Sequence, residues 1–225
     1  MACVFSWFIQ NWEVAMAQPT KPQPAKTQPP TAPPANRWRT VDIVVAAVIA
    51  VAFGVVFWAW GLLWYGPAEA IPLPGRAFMY GVWLIPAVLG GLVIRKPGAA
   101  FFTETVAALV SIALGSAWGW TLAIQGPVEA LAAELAFAIF AYRAFGLAVA
   151  ALAGALSGLA AAIYDIVFWY PASDFDTATM RVPYVLITVA SSVVIAGLGS
   201  FVLTKALAQT GALDRFPSGR ERVAV

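Results

Sequence analysis

Residues 40–64 read TVDIVVAAVIAVAFGVVFWAWGLLW, an almost unbroken apolar run. A helix needs about 20 residues to cross the hydrocarbon of a bilayer, and this run is long enough. Five more apolar segments follow, at 77–94, 98–115, 127–142, 146–169 and 182–208. Across 225 residues, 61% are hydrophobic, 11% are charged, and the mean hydropathy is +0.81. No soluble domain of this size needs so much apolar surface. The pattern predicts an all-α integral membrane protein with six transmembrane helices. The first, fifth and sixth segments are long enough to tilt. The third and fourth are short, and the fourth is expected to begin at Gly126-Pro127, because proline suits the first turn of a helix.

The flanks differ from the core. Residues 1–36 carry no basic n-region before their weakly apolar start, so they make a poor signal peptide. Met16 could serve as an alternative start, opening a leader rich in Pro, Gln, Thr and Lys. Such a composition cannot bury a core, and 1–36 is expected to be a disordered Pro-rich tail. The membrane domain is expected over 37–208, followed by a C-terminal tail, 209–225. Lys21, Lys26, Arg37 and Arg39 precede the first segment; Arg95 and Lys96 follow the second; Arg143 follows the fourth; Lys205, Arg215, Arg220 and Arg222 lie at the end. Only Arg76 and Arg181 fall on the other side. By the positive-inside bias both termini are expected to be cytoplasmic, with exterior loops at 65–76, 116–126 and 170–181.

Composition also excludes chemistry. There is no histidine and a single cysteine, Cys3. A disulfide framework, a zinc, haem or copper ligand set, an H-E-x-x-H protease motif and a serine–histidine pair are all ruled out. No GxxxxGK[ST] phosphate loop is present, so ATP is not hydrolysed by that route. The net charge of +2 is too small to argue for nucleic acid. No enzymatic activity, metal or other cofactor is expected.

What is left is a set of acids inside the spans. Glu104 shares a helical face with Ala108, Ser111 and Gly115. Glu129 and Glu134 lie on the fourth segment, and Asp165 and Trp169 on the fifth, at the end of a face with Gly154, Gly158 and Ala161. No basic residue lies within a helical turn of Glu104. Ionisable groups in a bilayer are costly and face a cavity or the bundle interior. Trp60, Trp64, Tyr80, Trp83, Trp118, Trp120, Gln125 and Tyr164 fall toward the same exterior level. Many tryptophans belong to an interfacial belt, and Glu104 or Glu134 could simply hydrogen-bond a neighbouring helix. As a set, carboxylates among aromatic rings suit a flat organic cation. On the first segment Ala46, Ala50 and Gly54 recur every four residues. Such a row lets helices approach closely, either within the bundle or against another membrane subunit.

Three stretches carry a resemblance. RWRTVDIVVAAVIAVAFGVVFWAW (37–60), GVWLIPAVLGGLVIRKPGAAFFTETVAALVS (81–111) and GPVEALAAELAFAIF (126–140) together resemble the YkoE-like substrate-binding (S) components of energy-coupling-factor transporters. The likeness covers roughly 37–208, and IRKPGAAFFTE (94–104) is its most specific part. It implies a six-helix protein of the bacterial cell membrane that takes thiamine or its hydroxymethylpyrimidine moiety from the exterior. It implies partners: a transmembrane T component, two cytoplasmic ATPases and the lipid bilayer. It also implies that Ala46, Ala50 and Gly54 dock onto the T component. Two other classes stay open on the residues alone. One is a self-sufficient proton-coupled carrier of a small organic cation, relaying through Glu104, Glu134 and Asp165. The other is a membrane scaffold that transports nothing.

Overall fold

Every regular element among the described residues, 37–170 and 178–220 of this computed structural model, is helical. The expected tail at 1–36, with Met16, lies outside the described residues. Helix α1 spans Thr40–Trp64, as the apolar run predicts. A 3-10 stretch, Gly75–Leu84, leads without a break into α2 (Ile85–Ile94). Then come α3 (Ala99–Ala113), α4 (Leu122–Ile139) and α5 (Leu147–Phe168). Helix α6 (Ala178–Ser191) passes through a π-helical stretch, Ser192–Leu198, into α7 (Gly199–Gln209), and a single turn, α8 (Pro217–Arg220), closes the described chain. Five of these rods are long and apolar enough to cross a membrane. The sixth, Ala99–Ala113, is apolar but shorter.

The bundle is organised around its second rod. The most apolar 18-residue stretch of Gly75–Ile94 is 83% buried, against 28% for the corresponding stretches of α1 and of Thr179–Gln209. Pro86 through Ile94 are buried on all sides, so α2 is apolar all round, as a helix enclosed by others must be. It packs on α3, α7, α1, α4 and α5. Gly90 and Gly91 make this possible. Thr103 of α3 and the Phe137 ring of α4 occupy the space that side chains at these positions would need.

Helix α1 buries one stripe: Asp42, Ala46, Ala50, Gly54, Phe57, Gly61 and Trp64. Its main partner is α3. A Cβ on Gly54 would fall 2.5 Å from the Val110 Cβ and 2.9 Å from the Ala107 carbonyl oxygen. Ala46 and Ala50 are fully buried. The row expected to face a partner subunit is therefore turned inward, and the face presented outward carries Val44, Val48, Val51 and Val55 instead. At the start of α1, Asp42 is buried in ion pairs with Lys96 and Arg39, and Lys96 also donates to the Arg37 carbonyl at 2.7 Å. This knot ties α1 to the α2–α3 turn.

Three further expectations change. Helix α4 starts at Leu122, not at Pro127; Gly126 is a contact point, where a Cβ would meet the Ala108 side chain at 2.7 Å. The second span begins as a 3-10 helix, whose three-residue turn stacks side chains at i and i+3. The tail expected from 209 folds back as far as Arg220. Leu213 and Phe216 are buried against Ala46, Leu89, Val93 and Ile94, and Ser218 donates to the Val93 carbonyl at 3.1 Å.

Candidate functional site

Helices need partners for the first N–H groups they expose, and in lipid no water supplies them. Two of the acids within the helices do this across helices. Glu104 of α3 accepts the Ala87 N–H through Oε2 at 3.0 Å, in the first turn of α2, just after Pro86. Glu134 of α4 accepts the N–H of Gly98 at 2.7 Å and of Phe101 at 3.1 Å, at the start of α3, and the Tyr142 hydroxyl at 2.6 Å. The partial positive charge of a helix start favours an acceptor in both places. Burial and the Glu134 carboxylate push the Tyr142 hydroxyl above its ordinary pKa. Glu134 is spent on the start of α3 and on Tyr142, at the opposite end of the bundle from Glu129 and Asp165.

Glu104 is not. Its side chain also lines a cavity of about 230 Å³ between the ends of α1, α3, α4 and α5 and the 3-10 stretch. On the far wall Glu129 and Asp165 converge on two neutral groups. The Tyr80 hydroxyl lies 3.1 Å from Glu129 Oε1 and 3.3 Å from Asp165 Oδ1. Gln125 Nε2 donates to the same two oxygens at 3.0 and 3.2 Å and to the Tyr80 hydroxyl at 2.7 Å. Tyr184 of α6 donates to Asp165 Oδ2 at 2.5 Å, and Trp169 Nε1 donates to Gln125 Oε1 at 3.2 Å. Ser157 holds the α4 backbone at Glu129 with a bond of 2.9 Å.

Rings close the rest. Tyr80 and Trp83, three residues apart on the 3-10 stretch, both face the cavity. Trp83 meets Trp64 and Trp118 edge-on, each at 5.2 Å between centroids. Tyr65, Tyr170 and Arg76 complete the lining at the ends of the rods. Arg76 lies 4.6 Å above the Trp64 ring and donates to the Trp64 carbonyl at 3.0 Å. Burial pushes the hydroxyls of Tyr65 and Tyr170 upward, and Asp165 adds to it, so both stay protonated as donors.

The cavity has unmet bonding capacity. Glu104 Oε1 and Glu129 Oε2 take no hydrogen bond among the described residues. Ser111 Oγ and Arg76 Nε are buried without a partner among the described residues. Among the described residues none of the three cavity acids is in an ion pair, and no three His, Cys, Asp or Glu residues group as metal ligands. The arrangement suits a flat polar ring that carries donors and positive charge.

Of the residues singled out from the sequence, the structure brings together Glu104, Glu129, Asp165, Trp64, Tyr80, Trp83, Trp118, Gln125 and Trp169. It leaves four outside. Glu134 caps α3. Trp60 donates to the Met79 carbonyl at 3.0 Å, behind the aromatic wall. Trp120 is 79% exposed. Tyr164 reaches the Thr121 carbonyl at 3.4 Å and packs on Phe168. Arg76, Ser111 and Tyr184 were not among the chosen site residues. In the sequence Arg76 reads only as a topology marker, and Tyr184 sits in an apolar segment with no acid to flag it.

A family model for the permease component of an ABC-type cobalt transport system matches residues 41–160. A Bacillus subtilis (strain 168) protein that carries the name HMP/thiamine permease protein YkoE is 35% identical over 192 residues, 82% of this chain and 92% of that one. A crystal structure of an S-component of an ECF transporter superposes with a TM-score of 0.79 at 32% identity, covering 84% of this chain and 94% of the other.

Proposed function

Because the chain belongs to this permease family, as a YkoE-like S component of an energy-coupling-factor transporter, we propose that its cavity binds thiamine or the hydroxymethylpyrimidine moiety. The protein is then the substrate-binding subunit of a vitamin importer. The observation that carries the substrate is the pairing of unmet acceptors, Glu104 Oε1 and Glu129 Oε2, with the Trp64–Trp83–Trp118 wall. An aminopyrimidine offers N–H donors to carboxylate oxygens, and Ser111 can serve a ring nitrogen. A thiazolium cation is attracted by ring faces and by the acids. A bare metal ion would leave the aromatic wall without a role.

In this reading six rods cross the membrane, both termini are cytoplasmic, and the cavity faces the exterior. The chain performs no chemistry. A T component and two ATPases supply the energy, and the protein sits in the bacterial plasma membrane. Titration of the purified chain with thiamine, hydroxymethylpyrimidine and the isolated thiazole moiety tests the substrate, with intrinsic tryptophan fluorescence as readout. Saturable quenching by the first two and none by the third is expected. No response to any pyrimidine would refute the assignment.

A further inference from the structure

A second pocket, of about 580 Å³, lies at the other end of the bundle, between the close of α2, the approach to α5, and α7. Arg95, Arg143 and Lys205 line it, and no Asp or Glu does. Arg143 and Lys205 take part in no ion pair among the described residues. Two rings set the cations in the wall: the Arg95 guanidinium lies 4.9 Å from the Phe145 ring centre, and Lys205 Nζ lies 4.6 Å from that of Phe201. Gly146, also in the lining, is the N-cap of α5 and has no side chain to cap its first turn. The partial positive charge of that 22-residue helix adds to the cations.

Charge alone would suit any anion, but the pocket is also apolar. Phe145, Phe201 and Leu92 line it. Leu147 and Val202, next in the chain to lining residues, are 47% and 64% exposed on the outer surface of the bundle. A small ion would use the cations and leave the rings and the apolar flank unsatisfied. We propose that this pocket holds the phosphodiester head group of an anionic phospholipid, with Arg143 and Lys205 on the phosphate and the acyl chains along the Leu147–Val202 flank. Basic pockets between membrane helices are suited to such head groups.

The test uses the full-length chain in detergent, titrated with phosphatidylglycerol, with phosphatidylcholine of the same acyl chains, and with inorganic phosphate, and read by native mass spectrometry. One phosphatidylglycerol should be retained in preference to phosphatidylcholine, and millimolar phosphate should not displace it. Each Lys or Arg near a membrane surface is worth roughly a five-fold change in affinity. Arg143→Gln combined with Lys205→Gln should therefore weaken retention about 25-fold. Arg215→Gln, which removes a charge outside the pocket, should leave it unchanged. Unaltered retention in the double variant, confirmed folded by its melting temperature, would overturn the site. Displacement by free phosphate would overturn the lipid, and so would equal retention of the zwitterionic lipid. In a fourth arm with an added acidic peptide, retention of the peptide in preference to phosphatidylglycerol by the wild-type chain would point to a protein partner and equally overturn it.

Discussion

Glu104 and Glu134 look alike in the sequence: each is a carboxylate in an apolar helix with no basic residue within a helical turn. The structure separates them by what their second oxygen does. Glu134 uses both oxygens on the start of α3 and on Tyr142. Glu104 uses one on Ala87 and turns toward the cavity. Glu104→Gln keeps a carbonyl for the Ala87 N–H and replaces the second carboxyl oxygen by an amide. Its melting temperature should stay close to wild type while thiamine affinity falls. A hydrogen bond to a charged group is worth about 1.5–3 kcal/mol, which corresponds to roughly a 10- to 150-fold weaker Kd. Glu104→Ala should lose affinity and stability together, because a buried amide left without a partner costs about 1–3 kcal/mol. Glu134→Ala should show the reverse pattern, lower stability with Kd unchanged. Equal Kd values for wild type and Glu104→Gln would make Glu104 a capping residue only. That acids in the spans need a reason was legible from the residues. Which helix start each one faces was not, since sequence spacing says nothing of a contact 17 or 36 residues away.

At the scale of the element, small-residue spacing on α1 was plain and its direction was not. Ala46, Ala50 and Gly54 could face α3 or a foreign helix, and the pattern is the same for both. The deciding fact is on α3, where Ala107 and Val110 leave no gap opposite Gly54. Gly54→Leu should therefore overpack the interface, at about 1–3 kcal/mol or more. Because α3 also carries Glu104, Ala108 and Ser111, vitamin affinity should drop in the isolated protein. A variant that binds thiamine normally yet fails to co-purify with a T component would restore the docking role. The helix bounds repeat this lesson. Those of α1 and α5 follow from continuous apolar runs. The start of α4 was misplaced because Gly-Pro reads locally as a beginning, whereas here Gly126 serves the close approach of α3. The 3-10 winding of Gly75–Leu84 has no signature in hydropathy, yet it sets Tyr80 and Trp83 side by side on the cavity.

For the molecule as a whole, the proposed six crossings would put both termini on one side. A reporter fused after Val225 should be active in the cytoplasm. A membrane-impermeant maleimide should modify Cys3, the one cysteine, only after the cells are opened. Labelling of intact cells would invert the orientation and with it the side from which the vitamin enters. The fold-back of residues 211–220 bears on a different matter, the order in which the protein is made. Leu213 and Phe216 complete the apolar cluster around Leu89, Val93 and Ile94 at the end of the central rod. Yet they leave the ribosome after every crossing helix has been threaded. A nascent chain can have all its rods in the bilayer and still have that end of α2 uncovered. Closure is thus a late event in synthesis, and a chain stopped after Thr210 should insert fully but be cut faster by membrane proteases, which a pulse–chase experiment would measure.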